Sequence, residues 1–157
     1  MSEWTQLFRE LEKRESEILH REWGWLIGDS CRPLVVTIFG DVFLENEQGV
    51  FWLNTGTGEL TIVAKDKEEF FDKLANDQMR NDWLLVALAQ QLKEMIGVPS
   101  VENCYSYTIF PVFSEGSYSA SNFYLLPFEE HIGVTGSLHK QIHNVSNGES
   151  IKFKVIK

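Results

Sequence analysis

The stretch LVVTIFGDVFLENEQGVFWLNTGTGELTIVA, residues 34–64, carries the reading of the fold. Residues 34–39 are apolar and rich in β-branched side chains, bounded by Pro33 and by Gly40-Asp41, which is strand composition. Residues 41–45, 49–54 and 59–64 repeat the rhythm. Their separators, Asn46-Glu47-Gln48-Gly49 and Thr55-Gly56-Thr57-Gly58, are turn chemistry in which glycine supplies the positive φ of tight hairpins. Connections this short join antiparallel neighbours, because a parallel pair needs a long crossover. The stretch therefore predicts a four-strand meander.

Working outward, Trp4, Leu7, Phe8, Leu11, Ile18 and Leu19 recur near a 3.6-residue period and predict an amphipathic helix over 3–21, broken at Gly24 and Gly28. Beyond the meander, Asp66 stands three residues before Glu69 in a capping-box pattern, and Phe70, Phe71 and Leu74 give the helix it opens a buried stripe. A second helix is expected from Asn81-Asp82. Trp83, Leu84, Val86, Ala87, Leu88, Leu92 and Ile96 make it apolar over most of its circumference, hence central, and Gly97 and Pro99 end it. Strands are expected at 104–110, ended by Pro111, and at 123–126. A helix over 127–143 follows, weakened by Gly133 and Gly136, then a turn at Asn147-Gly148 and an edge strand at 151–156. Strands in a run, then helices, then strands again indicate α+β: a mostly antiparallel sheet of roughly five or six strands with helices packed on one face. With no repeat, low-complexity tract or linker, residues 1–157 read as a single domain, 1–32 forming an N-terminal helix and loop and 33–157 the remainder.

Composition narrows the function classes. A hydrophobic share of 43% is that of a folded chain, and the net charge of −9 is the wrong sign for phosphate contacts or anionic lipid. Neither a nucleic-acid nor a membrane partner is expected. No apolar run approaches a membrane span, and the first residues do not read as a signal peptide, so a cytoplasmic location is expected. Cys31 and Cys104, far apart and outside any C-x-x-C pattern, read as reduced, buried thiols.

Catalytic and cofactor patterns are sparse. His139 and His143 lie one turn apart on a helix face that His131 also shares, which suits metal ligation. The string between them lacks the glutamate that would activate water, so a metal-dependent hydrolase stands as an alternative and partly exposed helix histidines as the plainer reading. The glycines at 56 and 58 lead into a strand rather than a helix, which is not a phosphate cradle. Gly116-Ser117-Tyr118-Ser119 lacks the nucleophile elbow, and Cys104 sits among Tyr105, Tyr107 and Ile109 as a packed thiol. No cofactor and no catalysis are expected.

Charge distribution says more. No Lys or Arg occurs between Arg32 and Lys65 or between Lys93 and Lys140, whereas acidic and aromatic residues are frequent in both stretches. Aromatic anchors among carboxylates suit a basic protein partner. A pocket lined by those rings, sensing a small ligand, is a rival reading. A dimer paired through the 151–156 edge is another.

The ordered series Gly40-Asp41-Val42-Phe43-Leu44-Glu45, Gly49-Val50-Phe51-Trp52-Leu53-Asn54, Gly58-Glu59-Leu60 and Val63-Ala64-Lys65-Asp66-Lys67-Glu68-Glu69-Phe70 resembles a bacterial domain at the C-terminus of type VI secretion immunity proteins of the Tdi type. Cys104-Tyr105-Ser106-Tyr107, Pro111-Val112-Phe113 and residues 134–143 extend the likeness over about 33–157. A similar pattern occurs in the SMI1/KNR4-like (SUKH) superfamily, a second choice also rich in immunity proteins. The resemblance implies a non-catalytic protein that binds and neutralises a secreted toxin. A nuclease toxin is usually basic, and a face of carboxylates would mimic nucleic acid. The contact residues expected on that basis are Glu45, Glu47, Trp52, Glu115, Tyr118, Glu129 and Glu130.

Overall fold

A computed structural model describes residues 7–143. Trp4, the expected turn at Asn147-Gly148 and the expected strand at 151–156 lie outside the described residues. The elements run β1 (Phe8–Arg9), α1 (Lys13–Ile27), β2 (Arg32–Thr37), β3 (Val42–Asn46), β4 (Gly49–Asn54), β5 (Glu59–Ala64), α2 (Lys67–Leu74), α3 (Asp77–Leu84), α4 (Val86–Ile96), β6 (Asn103–Tyr107), β7 (Phe123–Pro127) and α5 (Phe128–Ile142). The fold is α+β, and the predicted meander is present as an antiparallel sheet in the order β1-β2-β3-β4-β5.

Among the described residues the seven strands form two sheets rather than one. β6 and β7 pair only with each other, and the Tyr105 N–H donates to the Ile38 carbonyl at 2.9 Å to hook this ribbon to the end of β2. The ribbon is shorter than expected because β6 ends at Tyr107. Beyond it the Asn122 side chain takes over, accepting from the Ile109 N–H and donating to the Ile109 and Ser117 carbonyls.

The meander is covered on both faces, not one. Val42 pairs with Leu53 and Leu44 with Phe51, whereas Phe43 between them pairs with Trp52, so alternate side chains serve opposite faces. Val36, Val42, Leu44 and Leu53 join Leu19, Trp23 and Ile27 of α1, Phe128 and Ile132 of α5, and Ala89 and Leu92 of α4 in one core. Val35, Phe43 and Val50 form a second core with Phe70 and Leu74 of α2 and Trp83 and Leu84 of α3. This explains why the helix expected from Asn81 onward is two helices. Leu85 takes the left-handed conformation (φ 48) between α3 and α4. The kink sends Trp83 and Leu84 to one core and Ala89 and Leu92 to the other, which a straight helix could not do. α4 is not central: Met95 is 56% exposed and Ile96 is exposed as well.

The N-terminal segment also departs from its periodicity. Phe8–Arg9 extends the sheet against β2, and the Leu7 carbonyl accepts from the Ile38 N–H at 2.9 Å. The helix begins only after Glu12, whose N–H donates to the Glu15 carboxylate at 2.9 Å. It passes through Gly24, where a Cβ would point into open space, and stops at Gly28 (φ 72). α5 is likewise continuous through its glycines. A Cβ on Gly136 would stand 2.6 Å from the Glu22 carbonyl, so glycine there lets α1 and α5 approach. Both cysteines are free and buried.

Candidate partner-binding site

The site grows from Asp41, in the turn between β2 and β3. The Thr37 hydroxyl accepts from the Phe39 and Asp41 N–H groups, and the Thr37 N–H donates to the Asp41 carbonyl, which locks the turn. Asp41 is 6% exposed. Its Oδ1 accepts from the Thr55 N–H at 2.9 Å and the Thr55 hydroxyl at 2.8 Å; its Oδ2 accepts from the Trp52 indole N–H at 3.2 Å. Burial raises its pKa to about 6 against the pull of these three hydrogen bonds.

Thr55 is the hub beneath it. Its hydroxyl carries one proton, already directed at Asp41, so its oxygen accepts from the Nε2–H of His131 at 2.8 Å. That tautomer leaves His131 Nδ1 to accept from the Ser106 hydroxyl at 2.8 Å. The Thr55 carbonyl accepts from His139 Nε2–H, also at 2.8 Å. Burial, and secondarily His139, lower the His131 pKa to about 3, and burial lowers that of His139, so both rings are neutral at pH 7. His131 and His139 thus share a face as the spacing predicts, and the face meets Thr55. His143 turns instead to the edge of Trp25, 5.1 Å between centroids. Among the described residues no three His, Cys, Asp or Glu side chains are grouped to hold a metal ion.

The Ser106–His131 pair has hydroxyl-to-imidazole geometry, but Ser106, His131 and Thr55 are all buried and Thr55 stands between imidazole and carboxylate. No substrate atom can reach that hydroxyl without local opening.

Above Asp41 lies a cavity of about 130 Å³ lined by Phe39, Asp41, Trp52, Asn54, Asp82, Trp83, Leu85 and Tyr118. Four aromatic and two acidic residues are among its lining, the accessible surface of which is mostly apolar, and no Lys or Arg lines it. Tyr118 is 41% exposed and stands edge-on to the buried Tyr107, 6.0 Å between centroids. Burial, then the Asp41 charge, raise the Tyr118 pKa.

Of the residues singled out from the sequence, Trp52 and Tyr118 meet at this cavity. Glu45 is half-buried and bound by Arg32, with 3.0 Å from the guanidinium Nε, beside a wider cleft of about 400 Å³ between Glu10, Arg32 and Lys67. Glu129 accepts from Arg14 at 2.6 Å. Glu47, Glu115 and Glu130 are exposed, on the β3–β4 turn, the β6–β7 connection and the first turn of α5. Phe51, in the middle of β4, is only half-buried, whereas Tyr105 and Phe70 are fully buried. Asp41, beside the glycine that bounds the first strand, and Asp82, at the expected start of a helix, carry no binding pattern in the sequence. Only the acid directly before an apolar strand, in Gly40-Asp41-Val42-Phe43, marks the first of them.

Residues 64–139 match the family model described as T6SS immunity protein Tdi1, C-terminal. This is the first of the two families that the sequence resembles, over a narrower span than the likeness suggested. The span contains Asp82, Trp83, Leu85, Tyr118, His131 and His139, and stops short of Asp41, Trp52 and Thr55. Among solved structures, the crystal structure of Atu4351 from Agrobacterium tumefaciens is similar, with a TM-score of 0.56 and 14% identity over 83% of this chain. The chain spans 66% of that protein's length, and at this identity the likeness is one of fold. No curated protein matches the chain.

Proposed function

We propose that this chain, whose residues 64–139 are of the Tdi1 C-terminal type, is an immunity protein that neutralises a type VI secretion toxin by binding it. The family match is the observation that carries the reading. Binding without catalysis is supported by the interior: the imidazole, hydroxyl and carboxylate groups best placed for chemistry are buried and spend their hydrogen bonds on each other. A basic, nuclease-type toxin suits the net charge of −9 and the two long stretches without Lys or Arg. Glu47, Glu115 and Glu130, exposed, would steer such a partner, with Trp52 and Tyr118 as aromatic anchors. A small-ligand sensor has less support: the ring-lined cavity, at about 130 Å³, is well under the ~300–1,000 Å³ of drug-sized pockets, and the wider cleft of about 400 Å³ has one ring, Phe71, among charged and aliphatic residues. Among the described residues no helix is long and apolar enough to cross a membrane, which accords with action in the cytoplasm.

The test is co-expression with the toxin domains of nuclease-type type VI effectors from the host of this chain's gene. Growth should be rescued, and purified chain should inhibit the toxin's activity with an endpoint at one copy per toxin. Rescue far below that stoichiometry would indicate an enzyme. Absence of both rescue and complex would end the immunity reading.

A further inference from the structure

We infer that the free edge of β7 is the docking site for an extended segment of the protein partner that carries lysine or arginine and adds to the β6–β7 ribbon as a third strand. The inference rests on the proposal that this chain works by binding a protein.

The hydrogen-bond phase of the ribbon identifies the unspent groups of β7. The Thr108 N–H donates to the Asn122 carbonyl at 2.7 Å, and the Phe128 N–H to the Glu102 carbonyl at 2.8 Å. Bonded pairs alternate with non-bonded ones along an antiparallel ladder, so Ser106–Tyr124 and Cys104–Leu126 are the bonded pairs between these two ends. Tyr105 and Leu125 face each other without bonding, and the Tyr105 N–H accordingly leaves the ribbon for the Ile38 carbonyl. Leu125 likewise turns its own N–H and carbonyl away from β6. The Phe123 and Pro127 carbonyls, two residues to either side, point the same way.

Side-chain exposure shows that this edge is open. On one face of the ribbon the Tyr105 hydroxyl donates to the Gly97 carbonyl, just past α4, at 2.6 Å; on the other, Ser106 meets His131 of α5. Helices thus pack on both faces. Yet Tyr124 is 43% and Leu125 38% exposed, although successive strand residues point to opposite faces. Both are uncovered because solvent reaches them from the side. The edge also lacks the guards that edge strands carry. β1 is two residues long, and β5 has a bulge against β4 and gives its Val63 carbonyl to the Lys73 ammonium at 2.9 Å. β7 keeps unbroken register with β6, and its sequence FYLLP holds no charge.

Charge chooses the occupant. Residues 94–139 contain no Lys or Arg. Glu102 and Glu130, both exposed, stand at the Pro127 end of the ribbon, where Arg14 is engaged by Glu129. A second copy would bring another net −9 to this edge, whereas a cationic strand gains at the acidic end while its main chain bonds along Leu125.

The probe is the peptide acetyl-Lys-Val-Lys-Val-Lys-amide, read on the Tyr124, Leu125 and Leu126 backbone amides in ¹H–¹⁵N spectra. A saturable shift in the millimolar range is expected, with slowed exchange of the Leu125 amide. The peptide acetyl-Glu-Val-Glu-Val-Glu-amide should bind at least about tenfold more weakly. Leu125→Pro removes the outward N–H and no ladder bond, so the chain should stay folded and lose the lysine peptide; Leu125→Ala should keep it within about threefold. No saturable shift, equal binding of the glutamate peptide, or undiminished binding by folded Leu125→Pro would each overturn the assignment. A wild-type dimer that Leu125→Pro dissociates would also overturn it, giving the edge to a second copy. The two peptides are compared on the wild-type chain, which keeps the test sound if Leu125→Pro unfolds. Neither peptide needs a toxin, so failure of the rescue experiment and failure of the edge site are separate results.

Discussion

Thr55 and His131, 76 positions apart, meet through a 2.8 Å hydrogen bond that ties the β4–β5 turn to α5. The same threonine hydroxyl donates to Asp41. One side chain thereby joins a run of hydrogen bonds, Ser106 to His131 to Thr55 to Asp41, from the second sheet through α5 to the turn between β2 and β3. Every donor and acceptor in that chain is buried, so its integrity is a matter of stability first.

Thr55→Val keeps the shape and deletes the hydroxyl, leaving the His131 Nε2–H without an acceptor and Asp41 one donor short. Urea unfolding should show a loss of about 3 kcal/mol, the penalty of stranded buried polar groups. Thr55→Ser restores the hydroxyl and should cost only about 1 kcal/mol, for the lost methyl. Equal losses in the two variants would show that the hydroxyl is idle.

Stability should depend on pH with opposing contributions. His131, lowered to about 3, and His139, also lowered, stay neutral in the folded state. Their contribution is full above the unfolded value of ~6.5 and is lost as pH falls, for His131 down to about 3 at about 1.4 kcal/mol per unit. Asp41, raised to about 6, has the opposite sign. Its contribution is full below ~4 and lost as pH rises to 6. The histidines should prevail, so urea midpoints should drop between pH 6.5 and 4.5. The drop should steepen in Asp41→Asn, which removes the opposing group; an unchanged slope would contradict the assignment.

Gly40 carries φ 81, and a Cβ there would stand 2.4 Å from the His131 ring. Gly40→Ala combines left-handed strain of about 1–3 kcal/mol with that collision. In a His131→Ala background the collision is gone and only the strain remains. A double-mutant cycle should therefore give a coupling of at least about 1 kcal/mol, whereas additive losses would place the ring elsewhere.

Two ion pairs of similar length should differ in worth. Arg9 grips Glu15 with two bonds of 2.7 and 2.6 Å, both side chains being largely buried, and its guanidinium lies 5.8 Å from the Phe128 ring centroid. Glu15→Gln should cost about 2 kcal/mol. Arg14 and Glu129 meet at 2.6 Å with the arginine 79% exposed, and Glu129→Gln should cost under about 0.5 kcal/mol. Comparable thermal shifts would refute the distinction.

The meander was legible because period-2 alternation and glycine turns are local properties, and residues 49–54 and 59–64 form strands with the bounds read from them. The Asp66 cap holds for the same reason: its carboxylate accepts from the Glu69 N–H at 2.8 Å, within one helical turn. The helix expected over 3–21 failed because Leu7, Phe8 and Leu11 have helical spacing, but the unpaired edge of β2 offered β1 hydrogen bonds that no local pattern reports.

Thus the local chemistry of the chain was enough for its α+β class, its acid surplus and the helical face that His131 and His139 share. Their assignment to Thr55 and the kink at Leu85 came from packing. Those side chains lie far apart along the backbone, and only burying alternate faces of the meander in two separate cores brings them within reach of each other.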